Sequence, residues 1–117
     1  MDRIVDTPIF LEFYGGLLTE RQTEIIAMYC DDDYSLSEIA ESLQISRQAV
    51  HDSLKGGIAA LEGFEEKMGF VKKYRMREKI VGDIIGVLNG PEFSRASSEA
   101  NEGITIIKKK LAELSDI

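Results

Sequence analysis

The chain has 117 residues, of which 44% are hydrophobic and 30% charged, a balance that indicates one folded domain, or a small domain with a helical extension. A single cysteine excludes an internal disulfide, and one cysteine with one histidine is too few for a usual zinc site, so we expect no cofactor. No apolar run approaches the ~20 residues that span a bilayer, and the N-terminus lacks a signal-peptide pattern, so we expect a cytoplasmic protein without membrane insertion.

The formal net charge of −7 is unevenly distributed along the chain. Residues 1–45 hold two basic and ten acidic side chains, residues 46–80 hold eight basic and five acidic, and residues 81–117 hold four basic and six acidic. A basic middle between acidic ends favours a local contact with a polyanion, while the rest of the protein repels it.

Helical spacing and helix caps recur along the chain and strand signals are nearly absent, so we predict an all-α fold. Thr7-Pro8 is typical of an N-cap followed by proline at the first helical position, and Gly15-Gly16 weakens the end of this short helix. The segment 19–22 is a capping box that begins a second helix, which stops at the acidic residues 31–33.

The next two helices have the spacing of a helix-turn-helix. A capping box at 35–38 begins a short helix, Gln44-Ile45 makes the turn, and Ser46 caps a longer helix. Six positions carry the small or apolar residues that this motif needs: Ile39, Ala40, Leu43, Ile45, Val50 and Leu54. Glycine is common at the position of Gln44, where the chain tends toward positive φ, so we expect a formed but slightly strained turn.

Later in the chain, Gly56-Gly57 interrupts a helix, and we interpret it as a bend or a close approach of two helices rather than a nucleotide loop. Gly69 predicts a helix stop, followed by a long helix over 70–89 and a break at 89–91. The segment 92–99 stays unassigned.

The last helix carries apolar residues at the spacing of a helix packed along another helix: Ile104, Ile107, Leu111 and Leu114. This seam and the apolar stretch 80–88 either pack on each other or bind a partner, and we prefer a homodimer. We therefore divide the chain into a helix-turn-helix domain, 1–68, and a helical extension, 69–117, that serves as a dimerisation element.

With Val50 and Leu54 facing inward, a polar set faces outward on the second helix of the motif. Arginine can bond guanine twice and glutamine can bond adenine twice, while a helix N-terminus favours phosphate. A solvated polar face is the alternative interpretation, and Asp52 also faces outward. The predicted DNA-binding residues are Ser46, Arg47, Gln48, His51 and Lys55.

A dense basic run follows, and we interpret it as a clamp for nucleic-acid phosphates or RNA, with an ordinary solvated face as the alternative. Glu65, Glu66 and Glu78 dilute its charge. The candidate residues are Lys67, Lys72, Lys73, Arg75, Arg77 and Lys79.

The residue pattern does not predict an enzyme. The sequence pattern indicates no serine or cysteine nucleophile, with an orienting acid, that could act together with His51, the single histidine. The acidic segment 31–33 does not fit a calcium-binding EF-hand loop, because Leu36 and Ser42 stand where that loop needs glycine and glutamate. We expect this segment to be a solvated turn.

The segment from Leu18 to Leu61, with LTERQTEII and SLSEIAESLQISRQAVHDSL, resembles the promoter-reading fourth region of sigma factors. Over residues 10–75, with FLEFYGGLLTERQ, CDDDYSLSEIA and EEKMGFVKKY, the chain resembles the YlxM family. The resemblance implies an all-helical, sigma-like DNA-binding domain and a link to the signal recognition particle pathway. The resemblance to sigma factors implies that the nucleic-acid-binding residues of this chain lie on the same outward face of the second helix.

These patterns predict a non-enzymatic, nucleic-acid-binding regulator of transcription. The alternative is a protein–protein or RNA-binding adaptor of the signal recognition particle pathway, with the acidic N-terminal half binding a basic partner and the helix-turn-helix as scaffold. The two hypotheses predict that substitutions at different residues abolish binding. A regulator loses binding with Arg47→Ala and Gln48→Ala, whereas an adaptor loses it when the charges of residues 31–33 are neutralised.

Overall fold

The computed structural model describes residues 6–95 and 97–115, and within these ranges it confirms the all-α prediction. The chain divides into two compact units, Met1–Lys72 and Lys73–Ile117. The α-helices of the described residues are α1 (Thr7–Tyr14), α2 (Glu20–Cys30), α3 (Leu36–Leu43), α4 (Arg47–Met68), α5 (Phe70–Leu88), α6 (Pro91–Ser94) and α7 (Ser98–Ser115), and a 3₁₀ turn (Gly15–Leu17) follows α1.

In the first unit, helix α4 lies at the centre, because α1, α2 and α3 all pack against it. The core combines the apolar faces that the periodicity predicts with one aromatic side chain from the end of α1. Its fully buried large side chains include Tyr14, Ile25, Ile26, Ile39, Val50, Leu54, Leu61 and Val71. Together these side chains form the apolar core of the first unit.

The helix starts follow from local capping groups. The Thr19 side chain accepts the Gln22 backbone N–H at 3.1 Å while the Gln22 side chain accepts the Thr19 N–H, which confirms the first capping box. Ser35 and Glu38 make the same reciprocal pair at the start of α3. Each box satisfies backbone donors that have no partner inside the helix, so these starts depend on four consecutive residues alone.

Helix α1 begins one residue earlier than the sequence pattern predicts. Asp6 occupies the N-cap position, Thr7 is the first helical residue and Pro8 the second. Proline is tolerated there because the first N–H groups of a helix have no partner within it.

The pair Gly56-Gly57 does not interrupt α4, which runs unbroken from Arg47 to Met68. Gly57 is buried, and a Cβ atom placed on it would lie 2.7 Å from Cδ1 of Ile26 on α2. The predicted interruption is therefore wrong, while the predicted close approach of two helices is confirmed: the missing side chain lets α2 and α4 pack closely.

The end of α4 and the start of α5 are joined by one acidic side chain. Gly69 ends α4 with a left-handed φ of 63°, which confirms the predicted helix stop. Glu65 then accepts the backbone N–H of Val71 at 3.0 Å with Oε1 and that of Lys72 at 3.1 Å with Oε2. Glu65, from the last turn of α4, thus caps α5.

Tyr14 joins α1 to this cap. Its hydroxyl donates to Oε1 of Glu65 and accepts the backbone N–H of Phe70 at 3.1 Å. Burial first, and then the bond to Glu65, raises the pKa of Tyr14, so its hydroxyl stays protonated and remains a donor at neutral pH. The ring packs near Phe64 and stacks on Phe70, with centroid distances of 6.0 and 6.3 Å.

The second unit contains most of α5 together with α6 and α7. The predicted long helix over 70–89 is confirmed, and the unassigned segment 92–99 contains the end of α6 and the start of α7. Along the predicted seam of α7, Ile104 and Leu111 are partly buried, whereas Ile107 and Leu114 are 46% and 38% exposed. No helix in the described part of the chain is long and apolar enough to cross a membrane.

Candidate nucleic-acid interface

The turn between α3 and α4 has the hydrogen bonds of a Schellman motif. Gln44 adopts the left-handed conformation with φ 56° and ψ 44°, its N–H donates to the carbonyl of Glu41 at 3.3 Å, and the N–H of Ile45 donates to the carbonyl of Ala40 at 3.1 Å. The positive φ predicted for Gln44 is confirmed. A residue with a Cβ atom holds this turn at a conformational cost that glycine would not carry.

Gln44→Gly is therefore expected to stabilise the protein by about 1 kcal/mol, because glycine adopts the left-handed conformation without steric penalty. Urea unfolding should show a higher midpoint with an unchanged slope. Glu41→Gly, at an exposed right-handed helical position of α3, is the matched control and should cost about 1 kcal/mol. A loss of stability in both variants would contradict the strained turn.

The six positions predicted to hold the motif together all belong to the core or pack against it. Ile39, Val50 and Leu54 are fully buried and Ala40 is 9% exposed. Leu43 and Ile45 are partly buried against this cluster. Because Val50 and Leu54 hold one side of α4 against α2 and α3, the opposite side of its first three turns is directed to solvent.

The five predicted DNA-binding residues occupy the N-cap and the first turns of α4. Ser46, Arg47, Gln48 and Lys55 are exposed, and the His51 side chain is 39% exposed. The Ser46 oxygen accepts the N–H of Ala49 at 3.0 Å, which confirms the predicted cap. Its hydroxyl proton can still be donated, and the first N–H groups of α4 are available to an anion.

Asp52 lies at the centre of the solvent side of α4. At 100° per residue, its position falls opposite the midpoint between Val50 and Leu54. The Nε2 atom of Gln48 donates to Oδ1 of Asp52 at 2.9 Å, and Nδ1 of His51 lies 3.5 Å from the same oxygen. The outward position of Asp52 was predicted from helical periodicity, but its pairing with Gln48 was not, although the spacing of four residues was an available signal.

The charges around this face are mixed. Helix α3 exposes Glu38 and Glu41, and the Ser35 backbone N–H that bonds Glu38 lowers the pKa of that carboxyl group. Within residues 6–95 and 97–115, no ion pair engages Arg47 or Lys55. Both cations are therefore available to phosphates, although the surrounding carboxylates weaken the attraction.

The residues of the predicted basic run lie on two helices. Lys67 lies in the last turn of α4, and the other candidates lie on α5, where Lys72, Arg75 and Lys79 share one side at helical spacing and Lys73 and Arg77 share another. Lys79 is paired with Asp83 at 3.2 Å. All six residues are exposed: Lys67, Lys72, Lys73, Arg75, Arg77 and Lys79.

The described residues hold no group of three or more His, Cys, Asp or Glu side chains that could bind a metal ion. Cys30, the single cysteine, is partly buried at the end of α2 and packs against the core.

Comparison with known proteins gives one family. Residues 1–99 match the model of the UPF0122 family, described as "Putative helix-turn-helix protein, YlxM / p13 like". The chain is 39% identical over 114 residues to a UPF0122 protein of Acetivibrio thermocellus, covering 97% of both chains. It is 41% identical over 106 residues to one of Desulforamulus reducens, covering 91% of both. A UPF0122 protein of Listeria monocytogenes is 42% identical over 85 residues, covering 73% of this chain and 77% of the relative.

Proposed function

This chain belongs to the UPF0122 family of YlxM/p13-like helix-turn-helix proteins, and on that premise we propose that it is a non-enzymatic, sigma-like regulator of transcription that binds DNA through α4 in the cytoplasm. The observation that carries the proposal is the arrangement of α4. Its buried side is held by Val50 and Leu54 against the core, and the first turns of its opposite side present exposed donors and acceptors. A recognition helix needs this division to enter the major groove.

Each residue of the face has a role that its chemistry supports. Arg47 and Gln48, in the first turn of α4, contact base edges, because recognition helices contact bases mainly with their N-terminal residues. His51 and Lys55 follow Arg47 at intervals of four residues and support it at the DNA backbone. Ser46 and the N-terminus of α4 bind a phosphate.

Binding to a fluorescently labelled random-sequence duplex, measured by anisotropy across a salt series, tests this proposal. Each cation that neutralises a phosphate releases counterions, so affinity should fall steeply with salt. Arg47→Ala should weaken binding about 5- to 150-fold if it contacts a base or a phosphate directly. Arg21→Ala, an exposed arginine on α2, is the matched control and should leave binding nearly unchanged. Absence of binding at low salt would reject the regulator.

The exposed basic side chains of α5 favour a second candidate function, in which the protein binds RNA as an adaptor of the signal recognition particle pathway. The exposed acidic residues 31–33 would in that case bind a basic protein partner. The same anisotropy assay with the particle's RNA separates the candidates. RNA binding that Lys72→Ala weakens and Arg47→Ala does not would support the adaptor. Capture of a protein partner by the unmodified chain, but not by a variant in which the charges of residues 31–33 are neutralised, would also support the adaptor.

We also propose that residues 69–117 form a dimerisation element, apart from the helix-turn-helix of residues 1–68. One side of α5 exposes four apolar residues at helical spacing: Met76, Ile80, Ile84 and Val87, between 41% and 57% exposed. Light scattering coupled to gel filtration should give the mass of two chains, and Ile80→Glu should give the mass of one. Arg75→Glu, which lies off this stripe, is the control. A single-chain mass for the unmodified protein would reject the dimer.

A further inference from the structure

The hydrogen bond between Gln48 and Asp52 determines which groups the centre of the recognition face can offer. An ionised carboxylate has no proton to donate, so the Gln48 side chain must turn its NH₂ group toward Asp52, as the 2.9 Å distance from Nε2 to Oδ1 shows. The carbonyl oxygen of Gln48 is then directed elsewhere. The Asp52 side chain remains 67% exposed and keeps Oδ2 and further lone pairs available.

The pair therefore presents two acceptor groups from neighbouring turns of α4, the Gln48 carbonyl and the Asp52 carboxylate, beside the second N–H of the Gln48 amide. In the major groove, the hydrogen-bond donors are the exocyclic amino groups, N4 of cytosine and N6 of adenine. Guanine O6 and thymine O4 are acceptors, and either would face the negative Asp52 oxygens without a proton between them. Only bases that carry an exocyclic amine match the carboxylate.

We infer that Asp52, oriented together with Gln48, is a specificity-determining residue that accepts a hydrogen bond from the exocyclic amino group of a cytosine or adenine in the major groove. The inference rests on the proposed function, since it names the base edge that the same face selects. It also gives the acidic charge of the motif a role. Between Ser35 and Gly57 there are two basic and three acidic side chains, and Asp52 is the only acidic one of them on α4.

A carboxylate at the centre of the face changes affinity and selectivity in opposite directions. It repels phosphates, so it weakens binding to every sequence, and it repels the acceptor edges of guanine and thymine, so it penalises the wrong bases further. The charge that discriminates between bases thus also lowers the affinity for DNA of any sequence. A merely solvated carboxylate would change the general affinity without changing which base is preferred.

Asp52→Asn separates these effects because asparagine has the same shape. Its carbonyl still accepts the Gln48 N–H, so Gln48 keeps its orientation, and its NH₂ group can donate to guanine O6 or thymine O4. Since Asp52 is exposed, the substitution should leave folding intact, which circular dichroism checks. The variant should bind the unselected duplex pool several-fold more tightly.

The decisive measurement is selection of bound duplexes from a randomised pool by the unmodified protein and by Asp52→Asn. The unmodified protein should enrich one base pair in one orientation, with its cytosine or adenine on the strand that Asp52 faces, and the variant should lose that preference by about 5- to 150-fold. Glu41→Gln removes the same charge from α3 and serves as the control: it should raise affinity for the pool and leave the selected sites unchanged.

The outcomes distinguish the inference from the proposed function. Identical sites selected by the unmodified protein and by Asp52→Asn, or sites in which the unmodified protein prefers no base pair at any position, would overturn the role of Asp52 while DNA binding stands. No binding to any duplex would overturn both.

Discussion

Replacing Leu54 with alanine is expected to lower the free energy of unfolding by about 2–5 kcal/mol. The Leu54 side chain is 0% exposed and belongs to the core cluster that holds α4 against α2 and α3. Its truncation removes buried methyl groups and leaves a cavity that the surrounding helices can only partly fill. Urea unfolding followed by circular dichroism measures the loss as a lower midpoint with a similar slope.

Leu17→Ala is the matched control for this substitution. Leu17 lies in the 3₁₀ turn after α1 and is 60% exposed, so the same chemical change should alter stability by about 0.5 kcal/mol at most. If the two leucine variants lost similar stability, Leu54 would not be part of the packing that seats the recognition helix. A large loss for Leu54 alone would show that this core determines which side of α4 faces solvent.

Glu65→Ala is expected to destabilise the protein by about 2–4 kcal/mol, because one side chain satisfies three donors. Two are the backbone N–H groups of Val71 and Lys72 at the start of α5, and loss of such a cap costs about 1 kcal/mol. The third is the buried Tyr14 hydroxyl, and a buried donor left without an acceptor costs about 1–3 kcal/mol.

Chemical denaturation of Glu65→Ala should be compared with that of Glu66→Ala. Glu66 is the next residue of the same helix and is exposed, so its truncation should change stability little. Equal effects of the two substitutions would mean that the loss reflects helix charge and not the cap. Tyr14→Phe isolates one contact, and it should cost less than Glu65→Ala because Glu65 still caps α5 in that variant.

The helix boundaries and the turn of the motif were predictable because their causes are local. A capping box satisfies backbone donors within four residues, so the starts of α2 and α3 follow from the sequence itself. The left-handed conformation of Gln44 follows from the geometry of a helix end joined to a short turn. The outward face of α4 followed from the positions of Val50 and Leu54 through helical periodicity.

The contacts between helices were not predictable in this way, because they depend on how two separate surfaces meet. Tyr14 and Glu65 are 51 residues apart, and no local pattern indicates that the hydroxyl reaches the carboxylate. The pattern at Gly57 suggested either a bend or a close approach, and only the position of Ile26 decided between them. Similarly, the exposure of Ile80 on α5 depends on what packs beside it.

The amino-acid sequence by itself thus determined the all-α fold, most of the helix ends and the residues that face outward on α4, since capping and periodicity act within one or two turns. Tertiary structure decided which of these helices share a core, how Tyr14 and Glu65 join α1, α4 and α5, and where Gly57 lets α2 approach. The physical reason is that packing and long-range hydrogen bonds depend on the relative placement of helices, which periodicity within a single helix does not specify.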